Sequence, residues 1–135
     1  MKVFISHAPE DEPLAKRVAA VLKESGFEVW DPDREIMPGD NWAEKVAQAL
    51  QESNAMVVLL TPDALQSKWV LHEIEYALGA EGYSQRLIPV AVGGTEKLLE
   101  KEIPWILRRL NLITLAYPGD DKGLKQVAQA LSQAA

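Results

Sequence analysis

Asn54-Ala55-Met56-Val57-Val58-Leu59-Leu60 is the most strand-like run in the chain, and it is apolar at every position after the first. A strand with one wet face alternates polar and apolar residues; a strand covered on both faces does not. This stretch therefore reads as the central strand of a parallel sheet with helices on both sides. Thr61-Pro62 ends it. Working outward, Lys2–Ser6 is a second short β-branched run, and Phe27–Trp30, Arg86–Val92 and Leu112–Leu115 are three more. Between them the apolar residues fall at helical spacing: Leu14, Val18, Val21 and Leu22, closed by Gly26; Trp42, Val46, Ala49 and Leu50, capped by Asp40 or Asn41; Val70, Ile74, Ala77 and Leu78; and Leu124, Val127, Ala128 and Leu131. Residues 95–110 mix apolar and charged residues around Pro104 and are the least clear part. Pro89, inside the fourth strand, argues for an edge or a bulge there. Strands alternating with helices make a doubly wound α/β domain, and for five strands the expected order is 2-1-3-4-5. Ligands of such sheets bind beyond the carboxyl ends of strands one and three, here Ser6-His7 and Thr61-Pro62.

The bulk composition narrows the function. A chain of 135 residues holds one domain with a core of useful size, and 47% apolar with 25% charged residues is ordinary for a globular protein. A net charge of −6 argues against a nucleic-acid partner, which would call for clustered Lys and Arg. Cysteine is absent and only His7 and His72 are present, so neither a Cys-based zinc site nor a His-rich metal site is expected. Met1-Lys2 leads straight into a strand with no signal-peptide pattern. No apolar run nears the ~20 residues that span a bilayer, so a cytoplasmic location with no membrane partner is expected.

Ser67–Leu78 leads into the predicted crevice. Ser67 suits an N-cap, which places Trp69 in the first turn and Glu73 one turn later on the same face. An indole beside a carboxylate can cradle a flat cation. Read alone, the pair is explained at least as well by a tryptophan closing the core edge and a solvated glutamate. Ser6 and His7 are ligand contacts or simply a turn and cap. Trp30 and Trp42 read first as core or loop anchors, His72 as surface, and Asp11-Glu12 as charge favourable to a helix N-terminus. Asp33, Pro38, Gly39 and Asp40 read as turn chemistry. Three known occupants of this architecture are excluded by what is missing. Strand three ends in Leu60-Thr61 without the phospho-acceptor Asp of a response regulator. The HAPEDE after strand one is acidic where a flavodoxin needs a phosphate loop. No G-x-G-x-x-G is present for a dinucleotide fingerprint.

Three stretches in order carry a resemblance. Phe4-Ile5-Ser6-His7 is similar to the first signature box of Toll/interleukin receptor (TIR) domains. Asp33-Arg34-Glu35-Ile36-Met37-Pro38-Gly39-Asp40 resembles the second box, and Ser67–Ile74 resembles the W-x-x-x-E helix. The spacing of the boxes and the length of the chain also agree, so the resemblance covers nearly all of it, and its form is similar to bacterial members. The resemblance implies a flavodoxin-like fold and a choice of two functions. Some TIR domains scaffold signalling complexes through the loop holding Asp33, Ile36, Met37, Pro38, Gly39 and Asp40. Others cleave the nicotinamide–ribose bond of NAD, with the glutamate matching Glu73 as the catalytic group and the residue matching Trp69 bearing on whether the product is cyclic. The expectation is an NAD-cleaving TIR domain with NAD as substrate and no further cofactor, partnered by other TIR domains through self-association. Ser6, His7 and Arg34 are expected to join Trp69 in binding substrate. A non-catalytic interaction module is the alternative. A nucleoside deoxyribosyltransferase shares the architecture but leaves the second box unexplained.

Overall fold

Strand alternation decides which helix covers which face of the sheet. In the computed structural model, residues 2–30, 37–79, 86–92, 103, 105–110 and 112–134 are described. The elements in order are β1 (Lys2–Ser6), α1 (Glu12–Glu24), β2 (Glu28–Val29), α2 (Trp42–Glu52), β3 (Ala55–Leu60), α3 (Pro62–Leu65), α4 (Lys68–Gly79), β4 (Leu87–Val92), α5 (Trp105–Arg108), β5 (Ile113–Leu115) and α6 (Asp121–Ala134). The five strands are all parallel, in the order β2-β1-β3-β4-β5, as expected. Every residue of β3 is buried, in keeping with a strand that has neighbours on both sides and helices on both faces.

Two apolar layers result. Val3 and Ile5 of β1 point with Val57 and Leu59 of β3 towards Leu14, Val18 and Leu22 of α1 and Leu124, Val127 and Leu131 of α6. Phe4 of β1, with Met56, Val58 and Leu60, packs against Val46 and Leu50 of α2, Ala64 of α3, Val70 and Ile74 of α4, and Leu107 of α5. Ser6 shares the parity of Phe4, so it faces the layer that contains α4.

The helix boundaries have identifiable causes. Asn41 is the cap of α2, accepting from the Glu44 amide, while Asp40 closes the turn before it. Thr61 caps α3 through the Ala64 amide, and Ser67 caps the start of α4 through Val70. Asp120 accepts from the amides of Gly123 and Ala116, and these bonds hold its carboxyl below the usual carboxylate range. Gly123, in the first turn of α6, has no room for a side chain: a Cβ there would lie 2.5 Å from Leu115 Cδ2, in the core. Gly to Ala in an open helix gains ~1 kcal/mol. Overpacking a filled core costs ~1–3 kcal/mol, so Gly123→Ala should lower stability by about 1 kcal/mol, read as a fall in urea midpoint.

Three expectations need correction. β4 is an interior strand between β3 and β5, although it contains Pro89. The proline is tolerated because β5 pairs only with Val90–Val92, so at Pro89 the strand has a neighbour on one side alone. β2 is shorter than Phe27–Trp30; as an edge strand it is paired only at Glu28 and Val29. Asp11 does more than favour a helix dipole. Its carboxylate accepts a short hydrogen bond from the Thr61 hydroxyl, tying the segment after β1 to the segment after β3.

Candidate active site

Parity in β1 and periodicity in α4 bring two polar groups together inside an apolar layer. The buried residues of α4 are Val70, Glu73, Ile74 and Ala77, spaced i, i+3, i+4 and i+7. Glu73 therefore lies within the buried stripe, not beside it, and Leu78 is only half-buried. The solvated-glutamate reading fails: Glu73 is 7% exposed. Its partner is Ser6, whose hydroxyl donates to Glu73 Oε1 at 2.7 Å across 67 residues of sequence. That length is typical of a hydroxyl held by an ionised carboxylate.

Burial nevertheless dominates. Desolvation pushes the Glu73 carboxyl up to about 7, opposed only in part by the Ser6 hydrogen bond. Among the described residues no buried side-chain oxygen lacks a partner, and Ser6 supplies the one hydrogen bond to Glu73. Oε2 is thus the oxygen through which Glu73 reaches solvent.

It reaches a cleft at the carboxyl edge of the sheet, where winding reverses. As bounded by the described residues, the whole cleft measures about 690 Å³; His7, Trp42, Ser67, Trp69 and Glu73 are on its wall at this end, and the rest runs along Ala15, Lys16, Ala19 and Lys23 of α1 to Val29 of β2. That is an ordinary size for a small-molecule site. Trp69 is 46% exposed at the first turn of α4, and its indole meets that of Trp42 edge to face, with centroids 4.5 Å apart and planes at 76°. Contacts of this kind are worth ~0.5–1.5 kcal/mol beyond area burial, enough to favour one ring orientation. His7 is half-buried; its Nδ1 donates to the Ile5 carbonyl at 3.2 Å, which in the neutral ring leaves Nε2 as an acceptor.

Glu73, Trp69 and His7 thus line one cleft, with Ser6 behind Glu73. Ser6 is 1% exposed and its hydroxyl donates to the carboxylate, so it lies behind Glu73 and off the cleft wall where a substrate contact was expected of it. Asp33, Arg34 and Ile36 lie outside the described residues. Met37–Asp40 forms the expected turn: Asp40 N–H donates to the Met37 carbonyl at 3.0 Å, and Gly39 has φ +93°, a type II turn with Pro38 and Gly39 in their favoured places. Met37 is 62% exposed there. Trp30 is the core residue it was read to be, stacked on Phe4 at 5.3 Å. Trp42 is the residue whose place at the site was missed. Its sequence signal, a tryptophan opening an amphipathic helix, equally describes a core anchor. Among the described residues no group of three or more acidic or histidine side chains is placed to hold a metal ion. No helix among them is long and apolar enough to cross a membrane.

A parallel 2-1-3-4-5 sheet with a cleft holding a carboxylate and an aromatic pair at its switch point defines a flavodoxin-like domain. The chain belongs to the TIR family: the family model described as TIR domain matches residues 3–131. Among curated proteins, a 2' cyclic ADP-D-ribose synthase of Bacteroides thetaiotaomicron is 28% identical over 120 residues, 87% of this chain and 42% of that protein. An NAD(+) hydrolase of Paracoccus denitrificans is 31% identical over 91 residues, 65% of this chain and 30% of that one. Among solved structures, a metazoan TIR-STING receptor from C. gigas superposes with a TM-score of 0.78 at 26% identity, covering 96% of this chain and 39% of the other. The chain spans less than half the length of each of these relatives.

Proposed function

We propose that this TIR domain cleaves the bond between nicotinamide and ribose in NAD, with Glu73 as the catalytic carboxylate and Trp69 stacking on a ring of the substrate. The observation that carries the reading is the Glu73 carboxylate, buried against Ser6 and opening on an aromatic-walled cleft. Support also comes from relatives whose names describe NAD hydrolysis and cyclic ADP-ribose synthesis.

The chemistry asks for little more. Most glycosidases need a second carboxyl to protonate the leaving group. Nicotinamide in NAD is already cationic: when the C1–N bond breaks, its electron pair returns to the ring and nicotinamide departs neutral. One carboxylate beside the ribose then suffices to stabilise the oxocarbenium-like charge that develops. A free-state value near 7 leaves Glu73 about half ionised at neutral pH. The substrate's own positive charge favours the ionised form on binding. Attack by water gives ADP-ribose, and attack by a nucleophile within the same molecule gives a cyclic isomer. His7 Nε2 is available to a ribose hydroxyl, and the pyrophosphate is assigned to Arg34 on its charge alone. NAD enters as substrate, with no cofactor besides.

The segment after β1 is acidic and repels phosphate, and the family resemblance implies that a second domain completes the site. Self-association through Met37, Pro38, Gly39 and Asp40 supplies one, in a cytoplasmic bacterial protein. An interaction module without activity would use the same turn, whose exposed Met37 suits it. Such a module gains nothing, however, from a carboxylate buried at an energetic cost.

Nicotinamide release from NAD, followed across a wide range of protein concentration, tests this reading. Turnover per molecule should climb with concentration. Turnover that stays flat would remove the shared site, and no release in concentrated, self-associated protein would favour the interaction module. Chromatography of the products separates hydrolysis from cyclisation.

A further inference from the structure

The two exposed indoles are not required by the core. Trp42 and Trp69 are 44% and 46% exposed, yet they lie 4.5 Å apart at 76° and both face the cleft on which Glu73 opens. Near-perpendicular rings make a corner: a flat ring stacked on one indole presents its edge to the face of the other, and both contacts are favourable. An indole face is the strongest of the aromatic side chains for a cation, and a carboxylate in the same cleft supplies the counter-charge. Trp42 is held in place from behind, because it is the first residue of α2 and Asn41 caps that helix through the Glu44 amide.

We propose that Trp42 is a second ring-binding residue of the cleft, closing with Trp69 a two-walled corner that takes the planar cationic ring of the substrate, a pyridinium. The choice of ring rests on the NAD-cleavage reading; the corner itself rests on the geometry. A neutral purine would stack on either wall but would draw nothing from the carboxylate, so the corner selects for charge.

The paired indoles give an exciton couplet in circular dichroism, which reports ring binding without turnover. The 1-methylnicotinamide cation, methylated on the ring nitrogen, carries the pyridinium charge and has no glycosidic bond, so the unaltered protein can be titrated with it, and with neutral nicotinamide and adenosine as comparisons. The cation should reduce the couplet at concentrations about tenfold below those needed for neutral nicotinamide, a difference of ~1.4 kcal/mol. Trp42→Leu should raise the KM for NAD about tenfold, and Trp42→Phe, which keeps a ring, should restore most of it. A KM for NAD unchanged in Trp42→Leu overturns the proposal, as does a couplet that answers to adenosine before the cation. The two readings can fail separately. A protein that binds the 1-methylnicotinamide cation at the corner but releases no nicotinamide from NAD would sink the activity and leave the corner. Nicotinamide release with an intact KM in Trp42→Leu would do the opposite.

Discussion

Glu73→Gln should abolish nicotinamide release and, at neutral pH, make the domain more stable. The first effect follows from the proposed role. Removing a preorganised charge that opposes a developing one typically slows an enzyme by ~10²–10³-fold, and here no second carboxyl shares the task. The second effect follows from burial. The unfolded chain ionises Glu73 near 4.5, whereas the folded one holds it protonated to about 7. A carboxyl raised in this way contributes its stability below 4.5, and that contribution is lost as pH rises through 7. The loss amounts to about 3 kcal/mol once both states are ionised. Glutamine has no charge to bury, and its carbonyl can still accept from Ser6. Between pH 4 and pH 7.5 the stability difference read by urea unfolding should therefore shift by about 3 kcal/mol in favour of the variant, on top of a constant offset for the buried amide. An equal difference at both pH values would show that Glu73 is better solvated than its 7% exposure implies. Undiminished release in the variant would remove Glu73 from the mechanism.

The pH profile carries the next largest expectation. For the free enzyme, kcat/KM follows the fraction of Glu73 ionised, so it should rise through a midpoint near 7 and fall roughly 50-fold between pH 7 and 5. Ser6→Ala removes the one interaction that lowers this midpoint. A hydrogen bond to a charged group is worth ~1.5–3 kcal/mol, so the midpoint should move alkaline by about one pH unit or more. Activity at pH 7 should drop by about tenfold and recover at higher pH. A loss that does not recover would mean that Ser6 touches substrate after all, since a displaced titration can be reversed by base and a lost contact cannot.

The legible parts of the fold were those in which local pattern and tertiary environment agree. Val57, Val58, Leu59 and Leu60 announce a strand covered on both faces because no other environment tolerates them. The order of strands was then the one common to five-stranded doubly wound sheets. Pro89 misled because the restriction it obeys is local to one residue, while the position of β4 in the sheet is set by its whole length. The site was legible at Glu73 and Trp69, whose four-residue spacing is a property of one helix. Even so, the depth of Glu73 depended on the parity of Ser6, a residue on a different strand. Trp42 was unreadable for a related reason: its meeting with Trp69 joins the starts of two helices, and helical periodicity within either says nothing about the angle between them. The Asp11–Thr61 bond, between residues fifty apart in sequence, belongs to the same class.

That last bond governs how the crevice can deform. By linking the segments that follow β1 and β3, it acts as a crossbar over the switch point, so those two loops are expected to move together. The larger motions of the cleft are expected on the other side, where α2 begins after the exposed Met37–Asp40 turn. In hydrogen exchange the Ala64 amide, capped by the same Thr61 that holds Asp11, should be slow, and the amides of residues 39–43 fast. Asp11→Asn weakens the crossbar without changing its shape. It should quicken exchange at Ala64 first, turning a one-sided hinge into a two-sided one.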